Sequence, residues 1–231
     1  MNVEIFPFSL GFNDCYVIRD QGVILIDAGV PGKKTDFVRA MKSIRMEPQD
    51  IKLNVITHGH PDHMGSAKDI KEITRARIAM HQLDKVCLET GEWNTTGHRL
   101  KGTGLWSSIA AGMSNSIVAL RHSKVATCAV DVTIDDTGAD LANYGIHGQV
   151  VYTPGHTIGS LSVLLDSGEA FVGDLAMNKL PLRHNPGLPV FVDDMEKVKE
   201  SWRKLLKLGV RTVYPGHGKP FSVEVIEKAL K

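Results

Sequence analysis

Cysteine is scarce in this chain. Only Cys15, Cys87 and Cys128 occur, an odd number with no Cys-x-x-Cys pair. A disulfide framework is therefore not expected, and a reducing, cytoplasmic setting fits this usage. Charge of one sign is also lacking: 27 Lys+Arg face 26 Asp+Glu, for a formal net charge of +1. No global field draws the chain to nucleic acid or to an anionic membrane, and no basic–aromatic stripe suggests otherwise. No apolar run approaches the roughly 18 residues that span a bilayer. The opening residues Met1 to Pro7 show no basic stretch followed by an apolar one, so no signal peptide is expected. With 231 residues, 42% of them hydrophobic, the chain can bury a sizeable core without disulfide or metal staples. A single domain over residues 1–231 is expected, with a small molecule as its partner and a homodimer as an allowed assembly. What the sequence has in surplus is histidine, ten in all.

Short apolar and β-branched bursts bounded by Gly, Asp or Pro predict strands at 3–8, 15–18 and 23–26, the last two joined by a turn at 20–22. Residues 34–44 have helical spacing, with Phe37, Val38, Met41 and Ile44 on one face. A strand at 53–56 runs straight into the first histidine cluster, and a helix at 67–73 and a strand at 77–81 follow. The second half repeats the rhythm: strands at 149–152, 161–165 and 170–172, a helix at 195–208 and a strand at 211–214. Val198, Trp202, Leu205 and Leu206 form the apolar stripe of that helix. Strands followed by helices, given twice, predict a layered α+β arrangement with the helices outside. Residues 84–124 fit this pattern poorly. They carry Trp93, Trp106, Met113 and several glycines, and read as a helical insertion within one domain.

His58, His60, Asp62 and His63 lie within six residues, just past a predicted strand. Imidazole nitrogen and carboxylate oxygen are ligands that suit zinc, iron and manganese. On extended backbone His58 and His60 point the same way. Pro61 then breaks the strand, and Asp62 and His63 turn back from a helix start. The plainer reading of this run is a polar strand-to-helix loop in which Asp62 only caps. Three further residues favour the metal: His156 in Gly155-His156-Thr157, Asp174 in Gly173-Asp174, and His217 in Gly216-His217-Gly218. Each follows a predicted strand beside a glycine, and in a layered sheet such strand ends converge.

Taken in order, these motifs resemble the metallo-β-lactamase superfamily, from Asp27 to His217. The resemblance implies a four-layer αββα sandwich with a dinuclear metal site at one edge. It implies that His58, His60 and His156 hold one divalent ion, that Asp62, His63 and His217 hold the second, and that Asp174 bridges them. Asp62 and Asp174 would thereby take part in catalysis. The ions are expected to be Zn2+, with Fe or Mn as alternatives. Asp27, in Val23-Ile24-Leu25-Ile26-Asp27, resembles the strand-end residue that supports the site by binding a ligand, although a strand-end turn explains it equally well. Two divalent ions about 3.5–4 Å apart that share the Asp174 carboxylate and one hydroxide, with the Asp62 carboxylate beside them, sum to a formal +1, which suits an oxyanion forming at an attacked carbonyl or phosphorus.

Departures from each branch narrow the expected activity. The main zinc β-lactamases carry Cys where Asp174 stands, which points away from β-lactam hydrolysis and toward glyoxalase II-like thioesterases and lactonases. Too few residues follow His217 for the glutathione-binding domain of glyoxalase II, and the basic pattern after the bridging Asp is missing. Cleavage of an ester, thioester or lactone of a small molecule is the expectation. A mononuclear iron persulfide dioxygenase and a phosphodiesterase are the alternatives on the same scaffold. Substrate contacts are expected from residues 84–124, as an apolar lid including Trp93 and Trp106 or as plain packing, and from Arg183 and His184 in the proline-rich loop 178–190. His81, His98, His122 and His147 have no motif around them and read as structural or exposed.

Overall fold

The computed structural model describes residues 3–92, 98–99, 124–178, 187–189 and 191–231. In chain order the strands are β1 (Glu4–Ser9), β2 (Asp14–Arg19), β3 (Val23–Ile26), β4 (Ile51–Val55), β5 (Arg77–His81), β6 (His98–Arg99), β7 (Val132–Ile134), β8 (Ala139–Asp140), β9 (Gly148–Tyr152), β10 (Leu161–Leu165), β11 (Glu169–Gly173), β12 (Phe191–Val192), β13 (Thr212–Pro215) and β14 (Phe221–Ser222). The described helices are α1 (Lys34–Ser43), α2 (Pro61–Met64), α3 (Ala67–Thr74), α4 (Lys85–Thr90), α5 (Met195–Lys207) and α6 (Glu224–Ala229). One six-stranded sheet has the order β1-β2-β3-β4-β5-β7, and the other β14-β13-β11-β10-β9-β8. Both are mixed: β1 to β3 pair antiparallel and β3, β4, β5 and β7 parallel. In the second sheet β11 and β13 pair parallel while the remaining ladders are antiparallel.

The strand period of two assigns side chains to layers. On β3, Ile24 and Ile26 enter the core between the sheets, whereas Leu25 joins the outer core under the helices. On β11, Phe171 faces inward and Ala170 and Val172 face α5. The inter-sheet core is therefore Ile18, Ile24, Ile26, Leu53 and Val55 against Val150, Leu161, Val163, Leu165 and Phe171. Phe37 and Met41 of α1 and Ile70 of α3 cover one outer face, and Val198, Trp202 and Leu205 of α5 cover the other. The architecture is the expected four-layer α+β sandwich.

The predicted helices sit where their apolar stripes require, with adjustments at the edges. Val38 is 42% exposed, so the buried face of α1 is Phe37 and Met41 alone. Helix α5 starts at an aspartate cap: the Asp194 side chain accepts from the Glu196 and Lys197 N–H groups. Trp202 is fully buried and donates from Nε1 to the Leu175 carbonyl at 3.0 Å. This bond pins the outer layer to the turn that carries Asp174.

Helix α4 lies at the start of residues 84–124, the expected helical insertion. Leu88 is fully buried in the outer core, so the sandwich includes this stretch as far as the left-handed Gly91. Further on, β6 pairs with β12. Trp93 and Trp106 of the expected lid, and the expected substrate contacts Arg183 and His184, lie outside the described residues.

Candidate metal centre

The candidate ligands come from strand ends on the same edge of both sheets. Asp27 follows β3, His58 and His60 follow β4, and Asp62 and His63 occupy the short helix α2 that opens at Pro61. His156 follows β9, Asp174 follows β11 and His217 follows β13. All seven expected ligands meet there. His58, His60, His156 and Asp174 each offer one atom within 4.8 Å of the others in the group, as do Asp62, His63 and His217 in a second group.

In the first group three imidazole nitrogens form a near-equilateral triangle. His58 Nε2 lies 3.1 Å from His60 Nδ1, His156 Nε2 lies 3.2 Å from His58 Nε2, and His156 Nε2 lies 3.1 Å from His60 Nδ1. In the second, His217 Nε2 is 3.3 Å from Asp62 Oδ2, and His63 Nε2 is 3.9 Å from the same oxygen. Asp174 stands between the groups. Its Oδ1 is 3.2 Å from His63 Nε2 and 3.4 Å from His217 Nε2, while its Oδ2 is 3.6 Å from His156 Nε2.

Hydrogen bonds on the far side of each ring fix which nitrogen carries the proton. His156 Nδ1–H donates to the Phe191 carbonyl at 2.8 Å, and His217 Nδ1–H to the Phe12 carbonyl at 2.9 Å. His63 Nδ1–H donates to Asp27 Oδ2 at 2.8 Å. The Thr57 hydroxyl donates to the Asp27 carboxylate, so its oxygen accepts from His58 Nδ1–H at 3.0 Å. Four imidazoles thus turn Nε2 toward one centre. Among the described residues neither His63 Nε2 nor Asp174 Oδ1, buried and 3.2 Å apart, makes a well-aligned hydrogen bond, and Asp174 Oδ1 also lies 3.4 Å from His217 Nε2. The three nitrogens of His58, His60 and His156, facing one another within 3.2 Å beside the Asp174 carboxylate, fit a divalent cation.

Asp27 therefore serves both groups, through Thr57 to His58 and directly to His63. It also accepts the Thr57 N–H at 2.8 Å. Its backbone is left-handed, φ 62°, a conformation that a turn alone would leave to glycine. Asp27 thus combines a left-handed turn after β3 with hydrogen bonds to Thr57 and His63. Gly173 permits the same close assembly, since at φ 51° a Cβ would stand 2.5 Å from Thr57 Oγ1.

The electrostatics differ between the groups. Burial pushes His58 and His60 below the usual imidazole range and His156 down to about 4. The neighbouring imidazoles His63 and His156 lower His58 further. Burial also opposes charge on His63 and His217, but the Asp174 carboxylate, with Asp27 and Asp62 beside His63 and Asp62 beside His217, outweighs it. His63 rises well above its ordinary value and His217 to about 10. Burial disfavours ionised Asp62, yet His63 and His217 hold it down to about 2, and the same two rings hold Asp174 well below the carboxylate range. One side of the centre is a neutral nitrogen cluster, and the other already pairs two carboxylates with two positive charges.

Several residues here were not singled out by the sequence. Thr57, Asp84 and Thr157 carry side-chain hydrogen bonds at the centre, and their only signal was adjacency to His58 and His156 or position just past β5. Among the unassigned histidines, His81 is buried, stacked on Tyr152 and paired with Asp136, whereas His147 is exposed and paired with Asp20.

The family model of the metallo-beta-lactamase superfamily matches residues 9–217, which contain every ligand candidate. A probable metallo-hydrolase of Bacillus subtilis, YflN, is 26% identical over 212 residues, covering 86% of this chain and 76% of its own. Among solved structures, the archaeal superfamily protein ST1585 from Sulfolobus tokodaii superposes with TM-score 0.68 at 21% identity, over 99% of this chain and 84% of its own. The protein TTHA1623, solved in a di-iron-bound form, superposes with TM-score 0.65 at 20% identity, over 96% of this chain and 97% of its own. The fold, the strand-end His/Asp cluster and a family match spanning most of the sequence agree: this chain belongs to the metallo-beta-lactamase superfamily.

Proposed function

We propose that the chain is a dinuclear metal-dependent hydrolase of the glyoxalase II-like and lactonase-like side of the superfamily, cleaving an ester, thioester or lactone of a small molecule. The observation that carries this reading is the set of four Nε2 atoms, each oriented by an Nδ1–H donor bond on the far side of its ring and arranged on both sides of Asp174. His58, His60 and His156 are assigned to one ion and Asp62, His63 and His217 to the other. Asp174 offers Oδ2 to the first group and Oδ1 to the second. Bound there, divalent ions supply Lewis acidity and a nucleophile drawn from water at neutral pH.

The residues of the chain do the rest. Asp27 and Thr57 hold His58 and His63 in the tautomer that presents Nε2. The Phe191 and Phe12 carbonyls do the same for His156 and His217. Asp62 is ionised from about pH 2 upward and stands beside His217, on the open side of the centre, where it can accept the proton of an attacking water. An aspartate at position 174 rather than a thiolate, together with His63, supports the thioester and lactone branch over β-lactam hydrolysis. Zinc is the proposed metal. The di-iron form of TTHA1623 shows that another protein of this fold takes two iron ions.

The test is a panel of lactones, acyl thioesters and phosphodiesters assayed on the zinc- and manganese-loaded protein, beside His58→Ala and Asp174→Ala. Hydrolysis of a lactone or thioester by the wild type, lost in both variants, is the expected result. Oxygen consumption on a persulfide by protein holding a single iron would replace the hydrolase reading with the oxidoreductase one.

A further inference from the structure

We propose that Asp84 is a positioning residue that clamps the His58–His60 loop to the His156 loop, so that imidazoles from opposite sheets meet at one point. The proposal rests on the reading of that cluster as a metal site. Asp84 lies in the turn between β5 and α4 and is 4% exposed. It occupies the residue before α4, where an aspartate ordinarily caps the helix, yet its side chain makes no capping hydrogen bond. Its Oδ2 instead accepts the Gly59 N–H at 2.9 Å and the Thr157 hydroxyl at 2.7 Å. Gly59 stands between His58 and His60, and Thr157 follows His156.

The polarity of this junction is forced. A carboxylate oxygen only accepts, so Thr157 gives its hydroxyl proton to Asp84. Ser160 Oγ, 2.9 Å from the Thr157 hydroxyl, then donates to it and in turn accepts the Thr157 N–H at 3.0 Å. The second oxygen, Oδ1, packs on Gly159, where a Cβ would stand 2.4 Å from it. Any side chain at 159 would displace the carboxylate. Neither hydrogen-bond partner of Asp84 is a cation, and a buried carboxylate served only by an amide and a hydroxyl costs stability by itself. It makes physical sense where its bonds hold two loops in register. Other bonds tie the His156 loop to α5 and the segment before it: Asp193 N–H donates to the Gly155 and His156 carbonyls, Asp194 N–H to Gly155, and the Ser201 hydroxyl to the Pro154 carbonyl at 2.7 Å. Asp84 is thus the side-chain link between the loop leaving β4 in one sheet and the loop leaving β9 in the other. It touches no expected metal ligand side chain, so it acts through position.

Both hydrogen bonds land on one oxygen, which makes the clamp separable from the charge. Asp84→Asn retains an acceptor oxygen for Gly59 and Thr157, Asp84→Ala removes it, and Thr157→Val removes one arm. The readouts are chelator-driven release of Co2+ from each position, Gly59 amide exchange, and ring-to-ring proximity of His156 and His58 by NMR in metal-free protein. Asp84→Ala is expected to speed Gly59 exchange, to lose the proximity signal, and to weaken retention at the three-histidine position about 10- to 100-fold. The Asp62–His63–His217 position keeps its metal. Thr157→Val is expected to weaken the same position alone while Gly59 stays protected, with Asp84→Asn and Thr157→Ser close to wild type. Equal weakening of both positions, or unchanged Gly59 exchange in Asp84→Ala, would overturn the proposal. Should Asp84→Ala fail to fold, Thr157→Val with its serine rescue decides. If the wild type takes up no metal, the metal-site reading fails, and the two metal-free NMR readouts still decide the clamp.

Discussion

Loading the centre with metal should release protons from one side only. In the metal-free protein at pH 7, His58, His60 and His156 are neutral, because burial holds them below the imidazole range and His156 at about 4. An ion entering that triangle displaces no ligand proton. His63 and His217, raised by the carboxylates around them and His217 to about 10, each carry a proton on Nε2 at pH 7. An ion entering beside Asp62 must displace both, while Asp62 and Asp174 are already ionised. The count is therefore none for the first position and two for the second, plus one wherever a water ionises on binding. Two displaced protons change the apparent affinity by about a hundredfold per pH unit, from neutral pH up toward the His217 value. The first position stays flat above about pH 6.5, the unperturbed histidine value. Isothermal titration of Zn2+ in buffers of different protonation enthalpy reads these counts directly. His217→Gln should leave the first isotherm intact and abolish the second. A second ion that releases no more protons than the first would refute the assignment of charge across the centre.

Two further outcomes follow from packing and titration. Trp202→Ala removes a fully buried indole and its bond to Leu175, which costs about 3–5 kcal/mol. At about 2–4 °C per kcal/mol for a chain of this size, calorimetry should show the melting temperature falling by roughly 6–20 °C. A fall within 2 °C would mean that α5 does not anchor the sandwich. Metal-free protein should also lose stability in mild acid. The folded-state value of His156 is depressed to about 4, so its neutral form is favoured by the fold above about pH 6.5, and that contribution disappears as pH falls toward 4. The full effect for His156 is on the order of 3 kcal/mol. Denaturant midpoints of the metal-free protein that stay level from pH 7 to 4.5 would contradict it.

The central strands and the ligands were legible because each rests on a local rule. Short apolar bursts bounded by turn residues marked β3 and β11, helical spacing marked α1 and α5, and a six-residue His/Asp run followed by three His or Asp beside glycines marked the seven ligand candidates. What the sequence did not disclose depends on pairs far apart in the chain. The stripe on α1 included Val38, which the fold leaves exposed, because a stripe three positions wide says nothing about how deep its edge sinks. The short edge strands β8 and β14 are held by ladders to β9 and β13, and their own residues carry no β pattern. Helix α4 hid inside a stretch rich in glycine and tryptophan until Leu88 met the outer core. Asp84 and Thr157 are 73 residues apart, and an ordinary Asp and Thr give no sign of sharing a hydrogen bond. Ligands could be read singly, whereas the groups that hold them in place exist only after both sheets have formed.

The central claim is that Asp174 lies between two metal positions, each fed by histidine lone pairs whose tautomers the chain has fixed. Anomalous diffraction from crystals grown with Zn2+ tests it most directly. The account predicts two peaks per chain, one within bonding distance of His58, His60 and His156 and one within bonding distance of Asp62, His63 and His217, with the Asp174 carboxylate between them. A single peak at either position, or a pair that leaves Asp174 uncoordinated, would contradict it.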